Sequence, residues 1–300
     1  MADTSATITD IRAYEIVASL AHLGGVEEAH FEVQCSTAND RQPSNPEHEA
    51  HIDAIWKERV AVNPSLFDGT KFRFAGVHQG TQTSTVLDLG ITSYKYFLGT
   101  NCAVTWHALD PVNLASPLGN AAIVETTDTK VVLLKRSQNV GECPDTIVCP
   151  GGHPEPEMVG IKSMAEWKEI RGGKYVTSDW SKQICHELFD AMVREVVEET
   201  GIPRSRLGTV KCIGFTERVV NKRPDIIFHI PCSITANEVH HFYGEGPEHK
   251  YESTELITMD REEFIAKVLD ENSINMPGCH RGGVDLYREF IANQAESRTV

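Results

Sequence analysis

Between residues 182 and 199 the apolar positions recur with helical spacing: Leu188, Met192 and Val196 stand four apart, with Cys185, Phe189 and Val193 beside them. The spacing predicts an amphipathic helix. Gly201 sits where a left-handed residue ends a helix, Ile202 can fold back on the last turn, and Pro203 blocks continuation. Before this helix, period-two alternation predicts strands near residues 14–18, 31–35, 71–77 and 85–89, and a helix near 47–61 that begins at Asn45-Pro46-Glu47. Residues 92–101 read as a short aromatic helix or turn, and 110–119 as a linker. Paired strands follow at 121–124 and 131–136 around a turn at Thr127-Asp128, then a β-like run at 146–150. After the helix come strands near 210–215, 225–230 and 254–258, and helices near 236–242, 261–269 and 284–292.

Strands mixed with helices in this order fit an α/β fold, an α/β/α sandwich over residues 115–295, preceded by a smaller α+β domain over residues 1–109. Three hundred residues are enough for both.

Composition narrows the function classes. A formal net charge of -15 argues against nonspecific nucleic-acid or anionic-membrane binding. No basic segment followed by an apolar run opens the chain, and no long apolar stretch occurs within it. The eight cysteines are scattered without a C-x2-C pair, as for reduced thiols in a cytosolic or nuclear protein, with no zinc site.

The unusual chemistry lies at the end of the predicted helix, Arg194-Glu195-Val196-Val197-Glu198-Glu199-Thr200-Gly201-Ile202. Glu195, Glu198 and Glu199 stand at i, i+3 and i+4, so three carboxylates project from one face beside the apolar stripe. They repel one another and oppose the helix dipole. A hard divalent cation such as Mg²⁺ resolves the conflict, because it takes carboxylate oxygens and keeps other positions for water and substrate phosphate.

All nine positions resemble the second half of the Nudix box, R-E-U-x-E-E-x-G-U with U a bulky aliphatic. Its first half, G-x5-E, can be read in Gly151 to Glu157, but 36 residues separate Glu157 from Arg194, far more than the family's spacing, and His186 stands where the box would place its glutamate. A polar, glycine-bearing insertion at about 158–180 accounts for the gap, and it leaves the roles of Glu155, Glu157 and Glu187 open. Further segments, among them Leu66-Phe67-Asp68, Thr92-Ser93-Tyr94, Phe97-Leu98-Gly99-Thr100-Asn101 and Pro150-Gly151-Gly152-His153-Pro154-Glu155-Pro156, resemble the animal UDP-glucose diphosphatases of that superfamily.

That resemblance implies hydrolysis of a UDP-sugar to UMP and a sugar 1-phosphate. It implies Glu195 and Glu199 as Mg²⁺ ligands, Glu198 as a further ligand or general base, and Arg194 as the group that orients a neighbouring carboxylate. Phe67 and Tyr94 are the expected holders of the uracil ring, which needs a flat apolar surface. Arg136 is the expected planar donor to pyrophosphate. Gly151-Gly152 and Glu155 complete the substrate set, with the glycines forming a turn that shapes the substrate loop. Glu217 and Arg218, on the loop after a strand, have the site as one place to face, and a solvated pair is the expectation. The same box would serve ADP-ribose or an ADP-sugar, and a noncatalytic sugar-nucleotide sensor is the alternative from another class.

Overall fold

The structure, a computed structural model, describes residues 10–80, 84–138, 142–173 and 178–297. Part of the expected insertion, residues 174–177, lies outside the described residues.

In chain order, β1 (Tyr14–Ser19) is followed by β2 (Phe31–Cys35), where buried Phe31, Val33 and Cys35 alternate with exposed Glu32 and Gln34. Helix α1 (Pro46–Val62) starts as its Asn-Pro pair predicts: the His48 N–H donates to the Asn45 side chain at 2.9 Å, and Pro46 occupies the first turn. Then come β3 (Thr70–Gln79), β4 (Thr85–Ser93) and α2 (Tyr94–Gly99). Strands β5 (Gly119–Glu125) and β6 (Lys130–Arg136) flank a turn in which the Thr126 hydroxyl donates to Asp128. Short β7 (Ile147–Val148) and β8 (Gly151–Gly152) lead to α3 (Met164–Gly173) and α4 (Ser178–Thr200). After them stand β9 (Lys211–Arg218), β10 (Arg223–Pro231), α5 (Ala236–Glu245), β11 (Ser253–Asp260), α6 (Arg261–Ile265) and α7 (Gly278–Ser297). A π-helical turn over Ala266–Asp270 continues α6, so the single helix expected over 261–269 changes pitch midway.

By contacts the chain divides into two compact units, each discontinuous in sequence. The first comprises Met1–Gly25, Ala121–Gly151 and Glu195–Val300, and the second Val26–Asn120 and Gly152–Arg194.

The main sheet runs β1-β9-β10-β5-β6-β11, with β7 on β6 and β8 on β5. Ile123, Val131, Leu133, Ile213 and Ile227 form a core with Phe264, Val284, Leu286 and Phe290 of α6 and α7. Ala122, Val124, Val132, Leu134, Cys212 and Phe228, the alternate residues of the same strands, are equally buried. Both faces of the sheet are therefore covered, as the α/β expectation requires.

Strand β1 pairs antiparallel with β9, Tyr14 opposite Arg218, so it belongs to this sheet. Helix α7 begins at Gly278, earlier than the predicted 284, because Gly278, Gly282 and Gly283 are packing sites and not breaks. A Cβ at Gly282 would stand 2.7 Å from Thr216 Cγ2 and 2.8 Å from the Tyr14 ring. The missing side chain lets the helix lie against β1 and β9.

In the second unit β2 runs parallel to β4, and β3 antiparallel to it with a bulge between Phe74 and Gly76. The insertion is part of this unit. Trp167 of α3 is buried and donates from Nε1 to Asp40 Oδ2 at 2.8 Å, and the Thr70 hydroxyl donates to Ile161 O at 2.9 Å. Among the described residues no helix is long and apolar enough to cross a membrane.

Candidate active site

Helix α4 ends where its sequence predicted. Gly201 takes φ 74° and donates its N–H to Val197 O at 2.8 Å. A Cβ there would also lie 2.9 Å from Phe242 O, so only glycine suits both the conformation and the contact. This stop fixes the end of the helix, whose final two turns carry Glu195, Glu198 and Glu199.

Glu199 is buried, with 4% of its surface exposed, and its Oε2 accepts the Gly151 N–H at 2.9 Å. Burial, then the charge of Glu195, raise its pKa well above the usual carboxylate value; the Gly151 N–H and the Arg136 guanidinium oppose that rise. Glu195 and Glu198 are half-buried and converge with His249, one potential ligand atom from each lying within 4.8 Å of the others. His249 Nδ1 stands 3.6 Å from Glu198 Oε2, and the His249 backbone N–H donates to Glu198 O at 2.8 Å. That backbone bond occupies a carbonyl in the last turn of α4, which the helix itself leaves unsatisfied. Tyr251 meets the His249 ring edge-on at 5.8 Å. Two carboxylates and an imidazole around one point, beside a third carboxylate whose charge is disfavoured, are a donor set that fits a divalent cation. The expected metal pair was Glu195 and Glu199; the three-residue cluster contains Glu195 with Glu198 and His249.

Arg136, at the end of β6, donates from Nε to Glu142 O at 3.2 Å. Arg218 is not part of a solvated pair, as its loop position had suggested. It is buried and donates from Nη2 to Glu142 Oε2 at 2.9 Å, the oxygen that also accepts from Arg223 Nη1 at 2.6 Å. Although burial works against it, these two guanidinium groups hold Glu142 down to about 2. Glu217 pairs instead with Lys222 at 2.7 Å.

In the second unit Arg194 forms a fork on Glu187, Nη2 to Oε1 at 2.8 Å and Nη1 to Oε2 at 3.1 Å, and Nη1 also reaches Asp190 at 2.8 Å. Glu187 is buried, and its Oε1 accepts the backbone N–H of Glu155 at 2.9 Å. The partner of Arg194 is thus Glu187, while Glu155 contributes its main chain and leaves its side chain exposed. Gly152 donates its N–H to Asn120 Oδ1 at 2.7 Å. Phe67 is 77% exposed. Tyr94 is half-buried, edge-on to Trp56 at 6.5 Å and tilted against Phe97 at 6.4 Å.

Sequence reasoning left His249 out of the site. It lies far along the chain in a segment without helical or strand periodicity, and only folding brings it to the carboxylates. Glu187 carried a signal: it falls two turns before Arg194 on the same helix.

No protein-family model matches the chain. Nudix hydrolase 9 of Arabidopsis thaliana is 38% identical to it over 284 residues, covering 89% of this chain and 88% of that one. The chain belongs to the Nudix hydrolase family. It is an enzyme, a Nudix pyrophosphatase, and the sensor alternative is set aside. Another relative, the uridine diphosphate glucose pyrophosphatase NUDT22 of Mus musculus, is 33% identical over 285 residues, covering 89% of this chain and 88% of that one. Among solved structures, a MutT protein from Methanosarcina mazei Go1 aligns with 59% of this chain and 94% of its own, at 16% identity and a TM-score of 0.34. Nudix hydrolases use divalent metal ions, and among the described residues Glu195, Glu198 and His249 form a donor set of the kind that fits one.

Proposed function

We propose that this Nudix hydrolase is a cytosolic or nuclear enzyme that cleaves the pyrophosphate bond of UDP-sugars, UDP-glucose and UDP-galactose, with Mg²⁺, giving UMP and a sugar 1-phosphate. The observation that carries the substrate is the relationship along nearly the whole chain to a uridine diphosphate glucose pyrophosphatase. The Arabidopsis relative, at higher identity, has a name that states no substrate, and this keeps an ADP-ribose or ADP-sugar hydrolase as the second reading.

When bound, the divalent cation supplies neutralisation of phosphate charge and activation of water. Glu195 and Glu199 would provide carboxylate oxygens for it, and Glu198, which converges with Glu195, would serve as a further ligand or as the general base. The Gly151 N–H fixes one oxygen of Glu199, so that carboxylate is oriented before substrate arrives. Arg136 contributes a guanidinium at the end of β6 for the pyrophosphate. Arg194, locked on Glu187 and Asp190, is a positioning residue: it holds the helix turn from which the glutamates project. The overall negative charge opposes an anionic substrate, so these local cations supply the attraction. Phe67 has an exposed ring on which a base can stack, and with Tyr94 it is assigned to uracil.

The test is release of nucleoside monophosphate from sugar nucleotides bearing uracil, adenine or guanine, with Mg²⁺ and again with excess EDTA. Metal-dependent UMP from UDP-glucose, without comparable AMP or GMP, is the expected result. AMP from ADP-ribose instead would keep the carboxylate chemistry and overturn the substrate.

A further inference from the structure

The segment that follows α5 brings to the carboxylates a residue that the box motif does not contain. His249 offers an imidazole nitrogen within the same 4.8 Å neighbourhood as oxygens of Glu195 and Glu198. Three features hold it there. Its backbone N–H is bonded to Glu198 O at 2.8 Å, which ties the segment to the end of α4. Its Nδ1 faces Glu198 Oε2 at 3.6 Å, beyond a good hydrogen bond yet within reach of a shared ligand. The Tyr251 ring lies edge-on to the imidazole at 5.8 Å.

We propose that His249 is a nitrogen ligand of the divalent cation held by Glu195 and Glu198, and that it tilts the site's preference from Mg²⁺ toward Mn²⁺. The inference rests on the metal-dependent reading of the site above. Its physical basis is ligand type. Mg²⁺ is hard, keeps several waters and is served by carboxylates, whereas imidazole suits first-row transition metals. A site of oxygens alone gains modestly on passing from Mg²⁺ to Mn²⁺; one imidazole makes part of that gain depend on a single side chain. The alternative for the same geometry is a histidine that faces Glu198 and never touches the metal.

The experiment uses the full chain, stripped of metal with EDTA and titrated with Mn²⁺ or Mg²⁺ by calorimetry, together with electron spin echo spectroscopy of the Mn²⁺ complex. The variants are His249→Gln, which leaves a neutral oxygen donor at similar reach, and Glu195→Gln. His249 is half-buried and its backbone bond survives substitution, so the His249→Gln variant is expected to fold. Wild-type Mn²⁺ should show modulation from a directly bound nitrogen, absent in His249→Gln. Because loss of even an outer partner of a metal ligand weakens binding roughly 10- to 100-fold, Mn²⁺ affinity should fall by at least about tenfold and Mg²⁺ affinity by less. Mn²⁺ bound without nitrogen modulation, with affinity unchanged in His249→Gln but lost in Glu195→Gln, would overturn the role of His249 and leave the carboxylate site standing. Absence of Mn²⁺ binding to the wild-type chain would overturn both.

Discussion

At the end of α4, Glu195, Glu198 and Glu199 crowd together with His249, while at the adjoining ends of β9 and β10 Glu142 sits between Arg218 and Arg223, with Asp225 3.5 Å from Arg223. Both clusters belong to the first unit, and both place ionisable groups in partly or wholly buried positions. They differ in balance. Around Glu142 each charge faces its opposite, and the carboxylate stays ionised despite its burial. At the helix end like charges adjoin, and Glu199 resists ionisation. The contrast separates two arrangements of charge: a matched network holds itself together, whereas a mismatched one is the kind that a bound cation would relieve.

The largest expected effect lies at the mismatched cluster. Glu195→Gln should lower kcat on the order of 10²- to 10³-fold, the scale of losing one preorganised electrostatic group. The same change relieves repulsion with Glu199, so the melting temperature should hold or rise. A stability loss matching the activity loss would mean that the glutamates are structural.

Glu142→Gln should do the opposite. Removing one partner of a buried ion pair leaves guanidinium groups uncompensated, which costs about 2 kcal/mol here once the partial exposure of Glu142 is allowed for. In a protein of this size that lowers Tm by roughly 5 °C. An unchanged melt would show that the network does not hold the fold.

How these regions were read from sequence differs for the same physical reason. Glu195, Glu198, Glu199 and the Gly201 stop are local: a 3.6-residue period and one glycine state their geometry, and α4 forms as written. Most strands were legible too, because alternation reports burial. The partners were not. Nothing in residues 14–18 says that they pair with β9, and Gly282-Gly283 look like a break until the strands behind them are seen. Arg218 looked solvated because its carboxylate partner, Glu142, lies on a distant loop. His249 was invisible for the same cause.

A smaller effect sharpens the substrate side. Phe67→Ala should raise KM for UDP-glucose about tenfold, in line with ~1–2 kcal/mol for a base on an aromatic face, with little change in Tm because the ring is exposed. An equal loss for every nucleotide base would support stacking without uracil specificity. Unchanged KM would remove Phe67 from recognition.

The most gradual effect concerns pH. Beside the matched cluster, burial, with help from Arg218, Arg136 and Arg223, pushes His280 from 6.5 down to about 3. Between those values the unfolded chain binds a proton that the folded chain does not, so stability rises with pH there. The contribution is complete above about 6.5 and is lost progressively as pH falls toward 3. Glu142, lowered from 4.5 to about 2, adds a loss of the same sign only below about 4.5. Tm should therefore decline between pH 6.5 and 5 in the wild type and less steeply in His280→Gln. Parallel slopes would show that His280 titrates normally.

The contrast between the two clusters is tested most directly by melting the EDTA-treated wild-type chain, Glu195→Gln and Glu142→Gln with and without Mg²⁺. Cation binding to the folded state alone must raise Tm, by an increment that grows with the logarithm of the cation concentration over its Kd. Wild type and Glu142→Gln should gain a similar increment, the latter from a lower starting point, and Glu195→Gln should gain none. Equal increments in all three, or none in the wild type, would contradict the assignment of the cation to the carboxylates of α4.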